Sequence, residues 1–331
     1  GAADQAVEIT DATVLAVDLI TLNSNTSGTI DASTLSVIEG TTANANTIYD
    51  TKSGGDGFTG LGDEAITLTD TTAAAAALID LYTNGTSGVI DATTVHTITG
   101  TAANANTIYS QTSKFTGLGT ENITISGETN NSLAVATLNT LNGNTTGTIN
   151  ANTVTTLTGA ISALNTAYAA SVSTGDGISN LGNEAITISD GSVTDVAALN
   201  TLNGNTTGLI DAGTNVTSFT GAISALNTMF AAAGDSGDKI DFGGTSGAAT
   251  QTVTISDTTD VSVTDLNTLN SNTTGNIDAT NVTSLASASI SDIKTLLTNG
   301  NNTTNNFAAT SFQSLATVAV SGTSVSVTDL N

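Results

Sequence analysis

The chain repeats itself, and this restricts its fold more than any other feature. AVEITD at Ala6–Asp11 returns as AITLTD at Ala65–Asp70, AITISD at Ala185–Asp190 and TVTISD at Thr252–Asp257. A second phrase, IDA, starts at Ile30, Ile90, Ile210 and Ile277, with INA at Ile149. These isoleucines lie about 60 residues apart, with a longer last gap. Such a chain stacks supersecondary units, each buried by its neighbours, instead of wrapping one globular core.

Each period holds two related halves. One runs from the IDA phrase through Val154–Leu157 to Gly159 and then Ala160–Tyr168. The other runs from Ile178–Leu181 through Ile186–Ile188 to Asp190 and then Ser192–Leu202. Ile186 and Ile188, like Ile66 and Leu68 or Val253 and Ile255, alternate with Thr, the two-residue period of a strand. Val193, Val196, Ala197, Leu199 and Leu202 have helical spacing. Asp190 or Ser192 is positioned to cap that helix, Asp195 lies near the positive end of its dipole, and Asn203-Gly204 reads as its stop. The other helix starts after Gly40, Gly100, Gly159 or Gly221.

The expected fold is therefore an α/β repeat solenoid. Strand–strand–helix coils of roughly 30 residues pair into roughly 60-residue repeats, a normal size for such units. Strands stack about 4.8 Å apart but helices need about 8–10 Å. Placing successive helices on alternating sides of the strand stack would keep an elongated array straight. The array covers residues 1–331, with an irregular acidic, glycine-rich loop at about 234–250. A phase-shifted repeat is expected over about 277–331, where Phe307-Ala308-Ala309 echoes the IDA phrase early. The chain opens at Gly1 inside one repeat and ends at Asn331 inside another, and reads as a piece of something longer.

Four basic residues face 29 acidic ones, for a net charge of -25. Phosphate backbones need Lys and Arg, so nucleic acid is excluded as a partner. An anionic membrane would also repel this surface, whereas cations would be attracted and salt would screen its self-repulsion. No run of about 20 apolar residues is present to insert into a bilayer. The chain has no cysteine, so regular stacking takes the place of disulfides.

Two columns of carboxylates recur. Asp31, Asp91, Asp211 and Asp278 share one position, with Asn150 in the fifth unit. Asp11, Asp70, Asp190 and Asp257 share another, interrupted by Gly127. Stacked carboxylates suit Ca²⁺, which takes several oxygen ligands in flexible geometry. They equally suit turns and helix caps, because Asp accepts backbone N–H groups. Loop residues Asp56, Asp176, Asp235, Asp238 and Asp241 are further metal candidates. Neither an EF-hand loop nor a GGxGxD nonapeptide occurs. His96, the only histidine, takes a Thr-rich position and has no catalytic constellation around it, so no enzyme activity is expected. T-x-T spacing at Thr67 and Thr69 would suit an ice-binding array as well as an ordinary solvated strand face. Asn-rich segments Asn23–Thr26, Asn142–Thr146, Asn203–Thr207 and Asn270–Thr274 read as turns, with side chains able to touch polysaccharide.

The phrases AITISDGSVTDVAALNTLNGNTTG and TIDANTVTTLTGAISALNTAYAAS resemble repeats of giant extracellular surface proteins of marine cyanobacteria and other bacteria. Relatives of that kind occur with RTX, S-layer or cadherin-like modules, and some are associated with swimming. The resemblance implies a structural or spacer role, outside the cell or at its surface, contributing to a surface layer, adhesion or motility. It implies neighbouring repeats of one long chain as partners and no catalytic residues. A calcium- or glycan-binding adhesin, a self-associating phage or pilus fibre, and an ice-binding solenoid are the alternatives.

Overall fold

The computed structural model describes residues 4–51, 57–171, 177–233, 240–243 and 249–300, then 306–308, 311–312, 315 and 318–320. It is an α/β structure in which short strands alternate with helices. The chain forms two compact units, one of residues 1–154 with 169–181 and one of residues 155–168 with 182–331.

The first unit carries helices α1 (Ala16–Asn25), α2 (Thr42–Thr51), α3 (Ala75–Asp80), α4 (Ala102–Tyr109) and α5 (Val135–Asn144). Helix α3 runs on as a π-turn over Leu81–Gly85. The second unit carries α6 (Ile161–Ala169), α7 (Val196–Asn205), α8 (Ile223–Ala231), α9 (Val263–Asn272) and α10 (Ile290–Gly300).

Every described strand pair within each unit is parallel, and a helix makes the crossover a parallel pair demands. In the first unit, strand Ala65–Leu68 lies between Val37–Gly40 and Ile90–Asp91, and Asn122–Ile125 between Thr97–Gly100 and Thr148–Asn150. In the second, Ala185–Ile188 lies between Thr156–Gly159 and Ile210–Asp211, and Thr252–Ile255 between Ser218–Gly221 and Ile277–Asp278. Register stacks equivalent apolar residues on one another. Ile98, Ile123, Ile149 and Ile178 form one such column, and Leu157, Ile186, Ile210 and Ile240 another. All eight are buried. The alternating Thr residues take the opposite face of each strand, which is why the period of two is so clean.

The two halves differ in strand number. The IDA half has two strands before its helix, whereas the other has three extended segments. The extra one is Thr72–Ala74, Ser132–Ala134, or the single bridges at Val193 and Val261. Val193, which has helical spacing in the sequence, belongs to this segment and bridges Phe219, while Ala197 is exposed. The true inner stripe of α7 is Val196, Leu199 and Leu202. Phe307 bridges Ile277 as Ile240 pairs with Ile210.

Within each unit the helices do not alternate between two sides of the strands. In the first unit α1 packs on α2, α2 on α3, α3 on α4 and α4 on α5; in the second α7 packs on α8, α8 on α9 and α9 on α10. Small residues face inward: Ala16, Ala45, Ala75, Ala102 and Ala105 are all buried, and Gly40 at the end of its strand leaves room for the start of α1, since a Cβ there would meet the Ala16 Cβ at 2.6 Å.

An asparagine ladder reinforces the helix row. The Nδ2 groups of Asn46 and Asn106 donate to the carbonyls of Ala77 and Thr137 on the next helix. Asn165, Asn200, Asn227 and Asn267 do the same to Ala198, Ala225, Asp265 and Asp292. The threonine after each donates to its own helix four residues back, as Thr201 does to Ala197. Asn-Thr is thus a two-way joint, with one side chain tying helix to helix and the other turned to solvent.

Candidate functional site

The first carboxylate column makes local turns. Asp31, Asp91 and Asp278 each accept the backbone N–H two residues on, from Ser33, Thr93 and Thr280, at 2.9–3.0 Å. Asp211 accepts from the N–H groups of Gly213 and Thr214 and from the Thr214 hydroxyl at 2.6 Å. Asn150 repeats the pattern with Asn152. The Ser33 hydroxyl, then its N–H, hold the Asp31 carboxyl below the usual range. At Asp211 burial opposes the shift, and the Thr214 and Gly213 donors outweigh it.

The second column caps helices, but not its own. Asp70 accepts from the N–H of Thr42 at 2.6 Å, Asp190 from Ile161 at 2.8 Å and Asp257 from Ile223 at 2.6 Å. Each therefore caps the helix of the preceding half. Glu128 fills the gap at Gly127, its longer side chain reaching the N–H of Ala102 at 2.7 Å. Asp190 is thus not the cap of α7. Asp195 is, accepting from the Ala198 N–H at 3.2 Å, while Ser192 meets Ser218 instead. Asp11 is exposed and without a partner among the described residues.

Helix α7 also runs through Asn203-Gly204 to Asn205 before it stops. It ends because Thr206 turns away to donate its hydroxyl to the Glu184 carbonyl at 3.0 Å. The Asn-rich segments are thus last helical turns as much as loops.

Sequence reasoning missed a third column, of buried glutamates. Glu64, Glu121 and Glu184 are at most 1 % exposed. Each accepts the N–H two residues earlier, from Gly62, Gly119 and Gly182. Each also accepts a phenol from the preceding helix: Tyr49, Tyr109 and Tyr168 donate at 2.9, 2.9 and 3.0 Å. From the following half, Thr86, Thr145 and Thr206 donate to the same glutamates' carbonyls. One residue thus joins three successive halves. One repeat later the pair changes together: Phe230 replaces the tyrosine and Gln251 the glutamate, whose amide donates to the Phe242 carbonyl at 2.9 Å. The signal was present as Leu-Gly-x-Glu before each AIT or NIT phrase, at Leu61, Leu118 and Leu181.

Burial first, and then the adjacent carboxylate, push the phenols of Tyr49 and Tyr109 well above their ordinary range. Burial does the same at Tyr168 against an opposing hydrogen bond from Thr206.

Two clefts lie beside these features. One of about 310 Å³ is lined by Tyr109, Gln111, Phe115 and Asn144, and one of about 220 Å³ by Ser162, Asp190, Thr194 and Asp195. Neither holds a nucleophile paired with a base. His96 is exposed. Among the described residues no three His, Cys, Asp or Glu side chains converge as a metal site would require, and no helix is long and apolar enough to cross a membrane. Asp241 makes a turn with Gly243 beside Asp211, while Asp56, Asp176, Asp235 and Asp238 lie outside the described residues, as do 234–239 and 244–248 of the irregular segment.

Compared with known proteins, the chain matches no family model, no curated protein and no solved structure.

Proposed function

We propose that the chain is a structural repeat region: an elongated solenoid of stacked coils that acts as a spacer in a large secreted or cell-surface protein. In that setting it contributes to a surface layer, adhesion or motility, and its partners are neighbouring repeats. The observation that carries this reading is where the recurring polar chemistry goes. The carboxylates of Asp70, Asp190 and Asp257 and of Glu64, Glu121 and Glu184 are occupied by donors from adjacent halves of the chain. Side chains spent on holding one coil to the next are not free for turnover. The in-register isoleucine columns give the same unit a means of extending without limit. The acidic surface, at a net charge of -25, keeps such a long array soluble and resists non-specific association.

A calcium-dependent adhesin is the second reading, favoured by Asp211 and Asp241 standing opposite each other on paired strands. Calorimetric titration with millimolar Ca²⁺ separates the two: the spacer gives no binding heat and no rise in melting temperature. Location is tested with antibodies to this chain on intact source cells. Labelling before lysis supports the surface reading, and labelling only after lysis removes it.

A further inference from the structure

We propose that the cleft beside Tyr109 binds one ring of a neutral carbohydrate. The proposal goes beyond the spacer role and does not depend on it. It comes from comparing this half with the other two that carry a tyrosine–glutamate pair.

Two departures from the repeat meet at this cleft. The first is a short connection. Tyr109 lies 12 residues before its glutamate, against 15 for Tyr49 and 16 for Tyr168. The connection turns tightly, with the N–H groups of Lys114 and Phe115 both donating to the Gln111 carbonyl, at 2.9 and 3.1 Å. Tyr49 and Tyr168 are 4 % and 8 % exposed, whereas Tyr109, which makes the same bond to a glutamate, is partly exposed.

The second departure is in the preceding half. From its start to the threonine that follows, α3 with its π-turn takes one residue more than α5, Ala75 to Thr86 against Val135 to Thr145. Single π-turns within α-helices recur at functional sites. This one carries Tyr82, whose ring meets Phe115 edge-on at 5.8 Å, and Phe115 is part of the cleft wall. At about 310 Å³ the cleft is near the lower end of small-molecule sites, so it suits one sugar ring and not a long ligand.

The lining selects the chemistry. Ile108, Phe115 and Leu118 supply apolar surface for the C–H face of a pyranose. Gln111, Thr112 and Asn144 supply amides and a hydroxyl, which donate and accept as sugar hydroxyls do. Asn144 is held in place by Asn106, to which its amide donates at 2.9 Å. An anion is repelled by the Glu121 carboxylate, which Tyr109 and Gly119 hold behind the wall at 2.9 and 2.8 Å, and by the net charge of -25. A cation has no carboxylate to pair with among the described residues that line the cleft.

The chain has four glutamines, Gln5, Gln111, Gln251 and Gln313, so glutamine labelled with ¹⁵N in its side-chain amide gives a sparse NMR spectrum. The intact chain is titrated with glucose, galactose, mannose and N-acetylglucosamine, and with the methyl glycoside of each. At least one is expected to move the Gln111 signal saturably, with a Kd of about a millimolar and the other three signals unmoved. Gln111→Ala identifies the signal. Calorimetry on Gln111→Ala/Thr112→Val should show affinity weakened at least about tenfold, the loss of two hydrogen bonds. Thr112 is exposed and Gln111 donates only to the neighbouring Ser110 hydroxyl at 3.3 Å, so the double variant folds normally. Binding of methyl glycosides assigns the end of a polysaccharide, and binding of free sugars alone a dissolved sugar; either supports the site. No movement with any of these sugars overturns the proposal, as does affinity unchanged in the double variant.

Discussion

Tyr168 and Glu184 bury a phenol against a carboxylate, whereas Phe230 and Gln251 hold the same places with neither group. Tyr168→Phe leaves a buried carboxylate short of a donor, and Glu184→Gln leaves a buried phenol facing a neutral amide. Each single change is expected to cost about 2 kcal/mol, the scale of a hydrogen bond to a charged group. The double variant, which reproduces the Phe–Gln pair, should cost at least about 1 kcal/mol less than the sum, read from urea unfolding of all four proteins. Asp190→Ala should cost about 1 kcal/mol and speed amide exchange at Ile161, while Asp195→Ala acts on α7 instead. The three phenols bonded to glutamates set an alkaline limit. The folded chain holds their protons more tightly than the unfolded chain, so their contribution is intact below about pH 10 and drains away as pH rises toward the folded values. In a base titration followed by phenolate absorbance, three of the four tyrosines should stay silent until the chain unfolds.

At the scale of elements, two glycines near the end of α7 should respond in opposite directions. A Cβ on Gly204 meets nothing within 4 Å in a helical turn, so Gly204→Ala is expected to stabilise by about 0.5–1 kcal/mol. A Cβ on Gly208 would meet the Glu184 carbonyl at 2.0 Å, so Gly208→Ala is expected to destabilise by about 1–3 kcal/mol. Thermal melts of both variants decide the signs. Strands and helices were legible because alternation at Ile186 and Ile188 and helical spacing at Val196, Leu199 and Leu202 are local patterns. The destination of Asp190 was not, because its partner Ile161 lies in the preceding half, and sequence spacing shows a carboxylate's position but not which coil it meets. The glutamate column stayed hidden for a related reason. A charged residue in a polar phrase reads as surface until Tyr49 or Tyr168 is seen to cover it. Standard packing distances point to helices on alternating sides, whereas contacts such as the Asn46 side chain on the Ala77 carbonyl put neighbouring helices in one row, a long-range pairing that local spacing does not display.

At the scale of the whole molecule, if the chain is the stacked array proposed above, one whole period can be removed, provided that each tyrosine or phenylalanine stays with its matching glutamate or glutamine. Ile149 pairs with Ile123 and Ile178, and Ile210 pairs with Ile186 and Ile240, so the two isoleucines occupy equivalent places one period apart. The most direct measurement excises Asn150–Ile210, joining Ile149 to Asp211, and follows circular dichroism and urea unfolding. A folded, cooperatively unfolding protein with unchanged helix and strand signal per residue is expected. Loss of that signal, or of cooperative unfolding, would show that the coils do not stack as proposed.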